Sequence, residues 1–286
     1  ALENLLDETA PKLAILDWLM PGLSGPEVCR RIREVDTGQP PYLIILTGLE
    51  EKGHVVEGLR AGANDYVRKP FDSDELGVRV EVGERLVCLQ RELAEARDAL
   101  EHQATHDALT GLPNRRAILG VLEEELACCD REGRSLAVGL LDVDLFKSVN
   151  DTHGHAAGDE VLVVLSRRWR RALRRYDKLG RYGGEEFLVV TPGCSGESSP
   201  WERLRSTVAS APVETTAGPL EVTVSIGTAE YRGRASADQL IAAADEALYR
   251  AKDGGRNRVE RGGIVSASAL PGRQPPPVFE ADRGPG

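Results

Sequence analysis

Residues Arg181-Tyr182-Gly183-Gly184-Glu185-Glu186-Phe187 constrain this chain more than any other stretch. Adjacent glycines favour a tight turn and give access to positive φ that other residues avoid. Asp177-Lys178-Leu179-Gly180-Arg181-Tyr182 reads as a strand ahead of the turn, and Phe187-Leu188-Val189-Val190 as a buried strand behind it. The expectation is a β-hairpin with Glu185 and Glu186 at its tip, where a backbone bare of side chains admits a ligand. Carboxylates resist burial without a partner, and hard cations take oxygen ligands. The same pattern also describes an ordinary acidic turn in water, and the heptapeptide alone does not choose between the two.

A second acidic element bears on the choice. The apolar run from Leu136 to Leu141 ends in Asp142, as a central strand would, and continues Val143-Asp144-Leu145-Phe146-Lys147-Ser148-Val149-Asn150-Asp151. A polar loop from Thr152 to Glu160 then opens a helix. The whole stretch reads D-x-D-x-F-K-x-x-N-D-x-x-G-H-x-x-G-D-x-x-L through Leu162. Together with Gly183-Gly184-Glu185-Glu186-Phe187 it resembles the GGDEF family of diguanylate cyclases, with Glu in place of the first acid of the signature. Asp107 to Arg116 is similar to that family's opening motif, and Ala244 to Lys252 with Gly255 to Val259 to its closing motif. Four motifs in order place the resemblance over residues 106–261.

Composition sets outer limits. The chain has 286 residues, room for two cores, and a formal charge of −10. That charge argues against broad binding to nucleic acid or anionic membrane, whose affinity comes from neutralised phosphates. The five cysteines show no zinc spacing, and the neighbours Cys128 and Cys129 suit helix packing rather than a disulfide. No apolar stretch approaches the roughly 20 residues of a membrane span, and no signal peptide is read at the start. A cytoplasmic protein is expected.

Residues 1–75 carry a second resemblance. Leu13–Asp17 reads as a strand ending in Asp, Tyr42–Thr47 as a strand ending in a hydroxyl, and the stretch from Ala61 to Phe71 as a strand ending in Lys69 before Pro70. This is similar to a response-regulator receiver domain, a flavodoxin-like α/β fold. The resemblance implies that Asp17 accepts a phosphoryl group from an upstream histidine kinase. Thr47 and Lys69 would contact that group, and Tyr66 would be the switch aromatic. The first strand, the acidic pair for Mg²⁺, the first helix and the second strand of such a domain have no match here, so 1–75 is expected to be a partial receiver. Residues 76–105 form the expected helical linker: Leu86, Leu89, Leu93, Ala96 and Leu100 recur at coiled-coil spacing. That stripe would join two copies in a homodimer, or cover a surface of its own chain. The Gly- and Pro-rich tail, 262–286, is expected to be disordered.

The GGDEF resemblance implies a palm-like, antiparallel-rich sheet flanked by helices, as in polymerases and nucleotide cyclases. It implies condensation of two GTP into cyclic di-GMP with release of two pyrophosphates. Two Mg²⁺ per active site, or Mn²⁺, would assist in-line attack of a 3′-hydroxyl on an α-phosphorus. By the same resemblance Asp142, the Val143 carbonyl, Glu185 and Glu186 are the metal ligands, and Glu185 and Glu186 the catalytic residues, with Glu185 the proposed proton acceptor. Asn150 and Asp159 would read the guanine edge, although Asp159 taken alone also suits a helix N-cap. His155, Lys147, Lys252 and Arg256 complete the substrate contacts; Asp107, Asn114 and Arg115 are expected to be structural. The run Arg167–Arg175 holds six arginines in nine residues. Within it Arg174-x-x-Asp177 matches the family's product-inhibition motif, with Arg203 and Arg205 as secondary contacts; without the motif it would be a solvated face. The rival to an enzyme is a degenerate homologue that only binds cyclic di-GMP, which would be expected to have lost Asp142, Glu185 or the glycines.

Overall fold

The computed structural model describes residues 5, 11–35, 40–48, 52–194 and 200–266. The chain divides into two units, 1–101 and 102–286.

The first unit is built on three parallel strands in the order β1-β2-β3: β1 Leu13–Asp17, β2 Tyr42–Thr47 and β3 Asp65–Arg68. The register pairs Asp17 with Leu46 and Thr47 with Arg68, which brings the C-terminal ends of all three strands together. Helix α1, Gly25–Glu34, starts where the Ser24 hydroxyl accepts from the Glu27 amide at 3.4 Å. It buries Val28, Cys29 and Ile32 against Leu16, Trp18, Leu43 and Ile45. Helix α2 spans Lys52–Arg60. The opposite sheet face, Tyr42, Ile44 and Val67, is covered by Leu76, Val80 and Val87 of helix α3, Ser73–Thr105. A Cβ at Gly83 would lie 2.8 Å from the Tyr42 ring, so α3 can seat there only through glycine. The linker expected over 76–105 is therefore one helix, and its first turns belong to the core of this unit. Farther along, Leu86, Leu89, Leu93 and Leu100 face solvent.

The second unit carries a five-stranded sheet in the order β10-β9-β4-β6-β5. Its strands are β4 Leu136–Val143, β5 Lys178–Arg181, β6 Glu186–Pro192, β9 Val224–Tyr231 and β10 Val259–Val265. Only β10 and β9 run parallel, which agrees with an antiparallel-rich palm. All eight residues of β4 are buried because helices cover both faces, hence an unbroken apolar run rather than alternation. On one face α5 Phe146–His153, α6 His155–Ala172 and α7 Trp201–Ala209 pack Phe146, Leu162, Trp169 and Leu204 on Leu141, Phe187 and Ile226. On the other, α4 Arg115–Glu132 and α8 Ala237–Asp253 pack Ile118, Leu122 and Leu248 on Val138, Leu140 and Leu188. A Cβ on Gly227 would collide with the backbone of Ala244 and Leu248, so this glycine sets how closely α8 approaches β9. A short hairpin, β7 Val213–Thr215 and β8 Gly218–Leu220, forms a separate two-stranded sheet and buries Val213 and Leu220 in the first of these cores.

The tail boundary needs a correction. Strand β10 continues through Val265 after a register shift between Arg261 and Ile264, so pairing with β9 carries order past residue 261. The rest of the tail, 267–286, lies outside the described residues. The five cysteines form no disulfide with one another. Among the described residues no helix is long and apolar enough to cross a membrane.

Candidate active site

The signature turn joins β5 to β6. The Glu186 carbonyl accepts from the Tyr182 and Gly183 amides at 2.8 and 3.1 Å, closing the hairpin. Neither Gly183 nor Gly184 adopts the left-handed φ expected from the sequence. Their use is spatial: a Cβ on Gly183 would lie 2.5 Å from Glu186 Oε2, whereas Gly184 has open space above it. Gly184 is thus the point where a ligand can approach bare backbone.

Arg181 holds this turn. Its Nε and Nη2 donate to the Gly184 carbonyl at 3.1 and 2.7 Å, and its Nη1 donates to both carboxylate oxygens of Asp107 at 3.0 Å. Asp107 also accepts from the Thr110 amide at 2.8 Å and hydroxyl at 2.7 Å. Burial pushes the Asp107 carboxyl up, but the Thr110 bonds and Arg181 outweigh it and leave it below the ordinary value. Arg115 adds a flank: its guanidinium stacks 4.4 Å over the Tyr182 ring and donates to the Tyr182 hydroxyl at 3.2 Å. Asn114 caps α4 through the Ala117 amide at 3.0 Å and donates to the Ala104 carbonyl at 2.8 Å. The opening motif is structural, as expected, and its structural task is to fix the acidic hairpin. The Arg181 link was not read from the sequence; an Arg at a strand end gives no local sign of a partner 74 residues away.

Asp142 sits at the end of β4, in register with Glu186 on one side and Ser225 on the other. The Glu185 carbonyl accepts from the Val143 amide at 3.3 Å, so both halves of the acidic set meet at one edge. Lys252, near the end of α8, donates to Asp142 Oδ2 at 2.7 Å. Burial pushes the Asp142 carboxyl above its ordinary value; the Lys252 hydrogen bond and charge oppose this, and Glu185 and Glu186 push it further up. Carboxylates that repel one another beside a carbonyl form a hard oxygen donor set, which fits a divalent cation. Among the described residues, however, no three acidic, histidine or cysteine side chains already converge as a metal cage.

Asp144, the second acid of D-x-D, does different work. It accepts from Thr223 Oγ1 and Ser225 Oγ at 2.6 Å and from the Asn257 amide at 3.0 Å. It ties the closing motif to β4 rather than facing the hairpin tip. Arg205 holds the same segment, donating to Asn257 Oδ1 at 2.7 Å, so it is committed there and not to the R-x-x-D turn. Arg256 adjoins it, exposed and with φ of 62°.

Lys147 is exposed on α5, and Asn150 is half-buried on the same helix. The Asn150 Oδ1 lies against the Cα of Gly158, where any Cβ would collide with it. Gly158 therefore lets α6 close on α5 at Asn150. The N-cap of α6 is Gly154, with His155 first in the helix. Asp159 lies beyond the first turn and is exposed, so the N-cap reading is overturned.

The Arg174–Asp177 motif forms a turn: the Arg174 amide donates to Asp177 Oδ2 at 2.8 Å and the Asp177 amide to the Arg174 carbonyl at 3.1 Å. It borders a cavity of about 310 Å³ walled by Ile118 and Val121 of α4 together with Arg170, Arg174 and Leu179. Arg203 donates to the Ala172 carbonyl at 3.0 Å, near this turn. The arginine run is not a uniform solvated face. Arg168 donates to the Ala211 and Pro212 carbonyls at 2.7 and 2.6 Å beyond the end of α7, and Trp169 between its neighbours is buried.

In the first unit Lys69 Nζ lies 2.5 Å from Asp17 Oδ2, and that hydrogen bond holds the Asp17 carboxyl below its ordinary value. Thr47 is buried and its carbonyl accepts from the Lys69 amide at 2.7 Å; Tyr66 is half-buried on β3.

This arrangement is that of a known family. Residues 104–258 match the model of the diguanylate cyclase GGDEF domain, and residues 1–81 that of the response regulator receiver domain. The chain belongs to the GGDEF family of diguanylate cyclases and carries a receiver domain ahead of the GGDEF domain. Diguanylate cyclase DgcP of Pseudomonas aeruginosa is 38% identical over 212 residues, covering 72% of this chain and 32% of that protein. Response regulator PleD of Caulobacter vibrioides is 36% identical over 234 residues, covering 79% and 51%. The chain thus spans about half the length, or less, of these relatives. Among solved structures, the coiled coil and GGDEF domain of DgcB from Caulobacter crescentus, in complex with c-di-GMP, superposes with a TM-score of 0.59 at 30% identity. That match covers 65% of this chain and 99% of DgcB's.

Proposed function

We propose that the chain condenses two GTP into cyclic di-GMP and two pyrophosphates. The observation that carries the reading is the complete acidic hairpin, with Glu185 and Glu186 at the edge where β4 presents Asp142. Mg²⁺ or Mn²⁺ held by Asp142, the Val143 carbonyl, Glu185 and Glu186 would supply charge stabilisation on the phosphates and the attacking oxygen. The protein's own contribution is position. Arg181 and Asp107 hold the turn, Gly184 leaves room for the nucleotide, and Lys147, Lys252 and Arg256 offer cationic groups to the phosphates. Asn150 and Asp159 accept from the guanine edge, where Asp suits N1–H and N2–H₂; His155, at the start of α6, adds a further contact. Glu185 takes the 3′-hydroxyl proton.

Each domain would hold one GTP, so ring closure needs two domains facing each other. The exposed stripe Leu86, Leu89, Leu93 and Leu100 on α3 provides a homodimer seam, which raises the effective concentration of the second half-site. Cyclic di-GMP binding at Arg174 and Asp177 would feed back on activity. Phosphorylation of Asp17 by a histidine kinase, read through Lys69, Thr47 and Tyr66, would couple the receiver to output.

The test is chromatographic. Wild-type protein with GTP and Mg²⁺ should form cyclic di-GMP, and Glu185→Gln, which keeps size and removes charge, should reduce turnover by at least about a hundredfold. Activity of the variant within about tenfold of wild type would defeat the assignment.

A further inference from the structure

We propose that Lys252 is an exchangeable counterion of Asp142: its ammonium holds the carboxylate until a divalent cation displaces it, so that cation binding and release of Lys252 toward the substrate phosphates are one coupled event. The inference rests on the cyclase reading and deepens it. Lys252 Nζ is 2.7 Å from Asp142 Oδ2, and the Asp142 side chain is 9% exposed against 37% for Lys252. The carboxylate is therefore fixed in the core while the ammonium arrives from solvent on a flexible stem.

A divalent ion bound to that oxygen would sit about 2.0–2.6 Å from it. An ammonium on the same oxygen would then be held close to a double positive charge in a partly desolvated site, where the repulsion is strong. Both cations cannot keep Asp142 Oδ2. The neighbours favour exchange over a permanent pair. Glu185 and Glu186 bring further negative charge to the same edge, more than one ammonium neutralises. The positive charge paired with Asp142 in this arrangement is the lysine's. The lysine leaves α8 beside buried Ala251, and Ala244 and Leu248 pack that helix on the sheet whichever way the side chain swings.

A lysine that serves only the nucleotide predicts something different: in nucleotide-free protein its removal should leave cation affinity unchanged. Mn²⁺ binding to the full chain without nucleotide, followed by loss of the free-ion electron paramagnetic resonance signal, separates the two. Lys252→Met and Lys252→Gln should each bind Mn²⁺ about fivefold more tightly than wild type, the scale of one partly exposed ion pair. Lys252→Arg, a fork that grips a carboxylate more firmly, should bind it no more tightly than wild type. Thermal unfolding gives a second readout. Without Mn²⁺ the Met and Gln variants should melt below wild type, and added Mn²⁺ should raise their melting temperature by more than it raises the wild type's. Adding Glu185→Gln to Lys252→Met should remove the tightening. Equal or weaker Mn²⁺ affinity in both neutral variants, or no Mn²⁺ binding in any variant, would overturn the exchange. Failure of the cyclase reading would show separately, as absence of cyclic di-GMP from wild-type protein and GTP.

Discussion

Replacing Asp107 by Asn tests whether the opening motif positions the catalytic hairpin. Asn keeps the shape and an oxygen for the Thr110 amide, but it removes the charge that receives Arg181 Nη1 twice at 3.0 Å. Both side chains are largely buried, 17% and 22% exposed, so little solvent screening discounts the pair. A hydrogen bond to a charged group is worth about 1.5–3 kcal/mol, and the retained amide recovers part of that, which puts the loss at about 2 kcal/mol. For a unit of this size that corresponds to about 4–8 °C in Tm. Arg181 would still bond the Gly184 carbonyl, but on a side chain no longer fixed at its other end. A displacement of about 1 Å at Glu185 is enough for a tenfold to hundredfold loss in kcat, with KM for GTP changing less. The pH dependence provides an internal control. Because the folded Asp107 pKa lies below its ordinary value of 3.8, its contribution is complete above 3.8 and is lost as pH falls through the folded value. The stability gap between wild type and Asp107→Asn should therefore close in acid. Urea unfolding at several pH values and initial rates of cyclic di-GMP formation are the assays. A variant within about 0.5 kcal/mol and twofold in kcat of wild type would refute the clamp.

Asn150→Ala or Asp159→Ala should weaken preference for GTP over ATP by about five- to hundredfold, the value of hydrogen bonds of about 1–3 kcal/mol each; unchanged competition would return both to a structural role. Arg174→Ala should lower affinity for cyclic di-GMP by about tenfold or more and straighten progress curves, with initial rates retained, because the Asp177 cap uses only the Arg174 backbone. A curve that bends at the wild-type product concentration would exclude the site. Leu89→Asp with Leu93→Asp should convert a dimer to a monomer in sedimentation and depress turnover at dilute enzyme, since neither side chain belongs to the core. A persistent dimer would move the interface elsewhere.

What the sequence determined by itself is the local chemistry. The apolar run ahead of Asp142 reads as a central strand, the paired glycines with Glu185 and Glu186 as an acidic hairpin, and the stripe from Leu86 to Leu100 as a helix, because each depends on neighbours within a few residues. The strands ending at or near Asp17, Thr47 and Lys69 were likewise legible one by one, whereas their assembly into one α/β domain was implied by the receiver resemblance. The tertiary structure decided what depends on contacts across long separations. It gave the two acids of D-x-D opposite tasks, Asp142 facing Lys252 and Asp144 tied to Thr223, Ser225 and Asn257. It moved Asp159 from a possible cap to the second turn of its helix, because Gly154 ends one helix and starts the next. It turned Gly183 and Gly184 from conformational exceptions into a matter of room, and it engaged Arg168 and Arg205 in structural bonds that a charge run cannot announce. A carboxylate or guanidinium carries no local mark of its partner. Only the packing of β4 between two layers of helices sets which distant groups reach it.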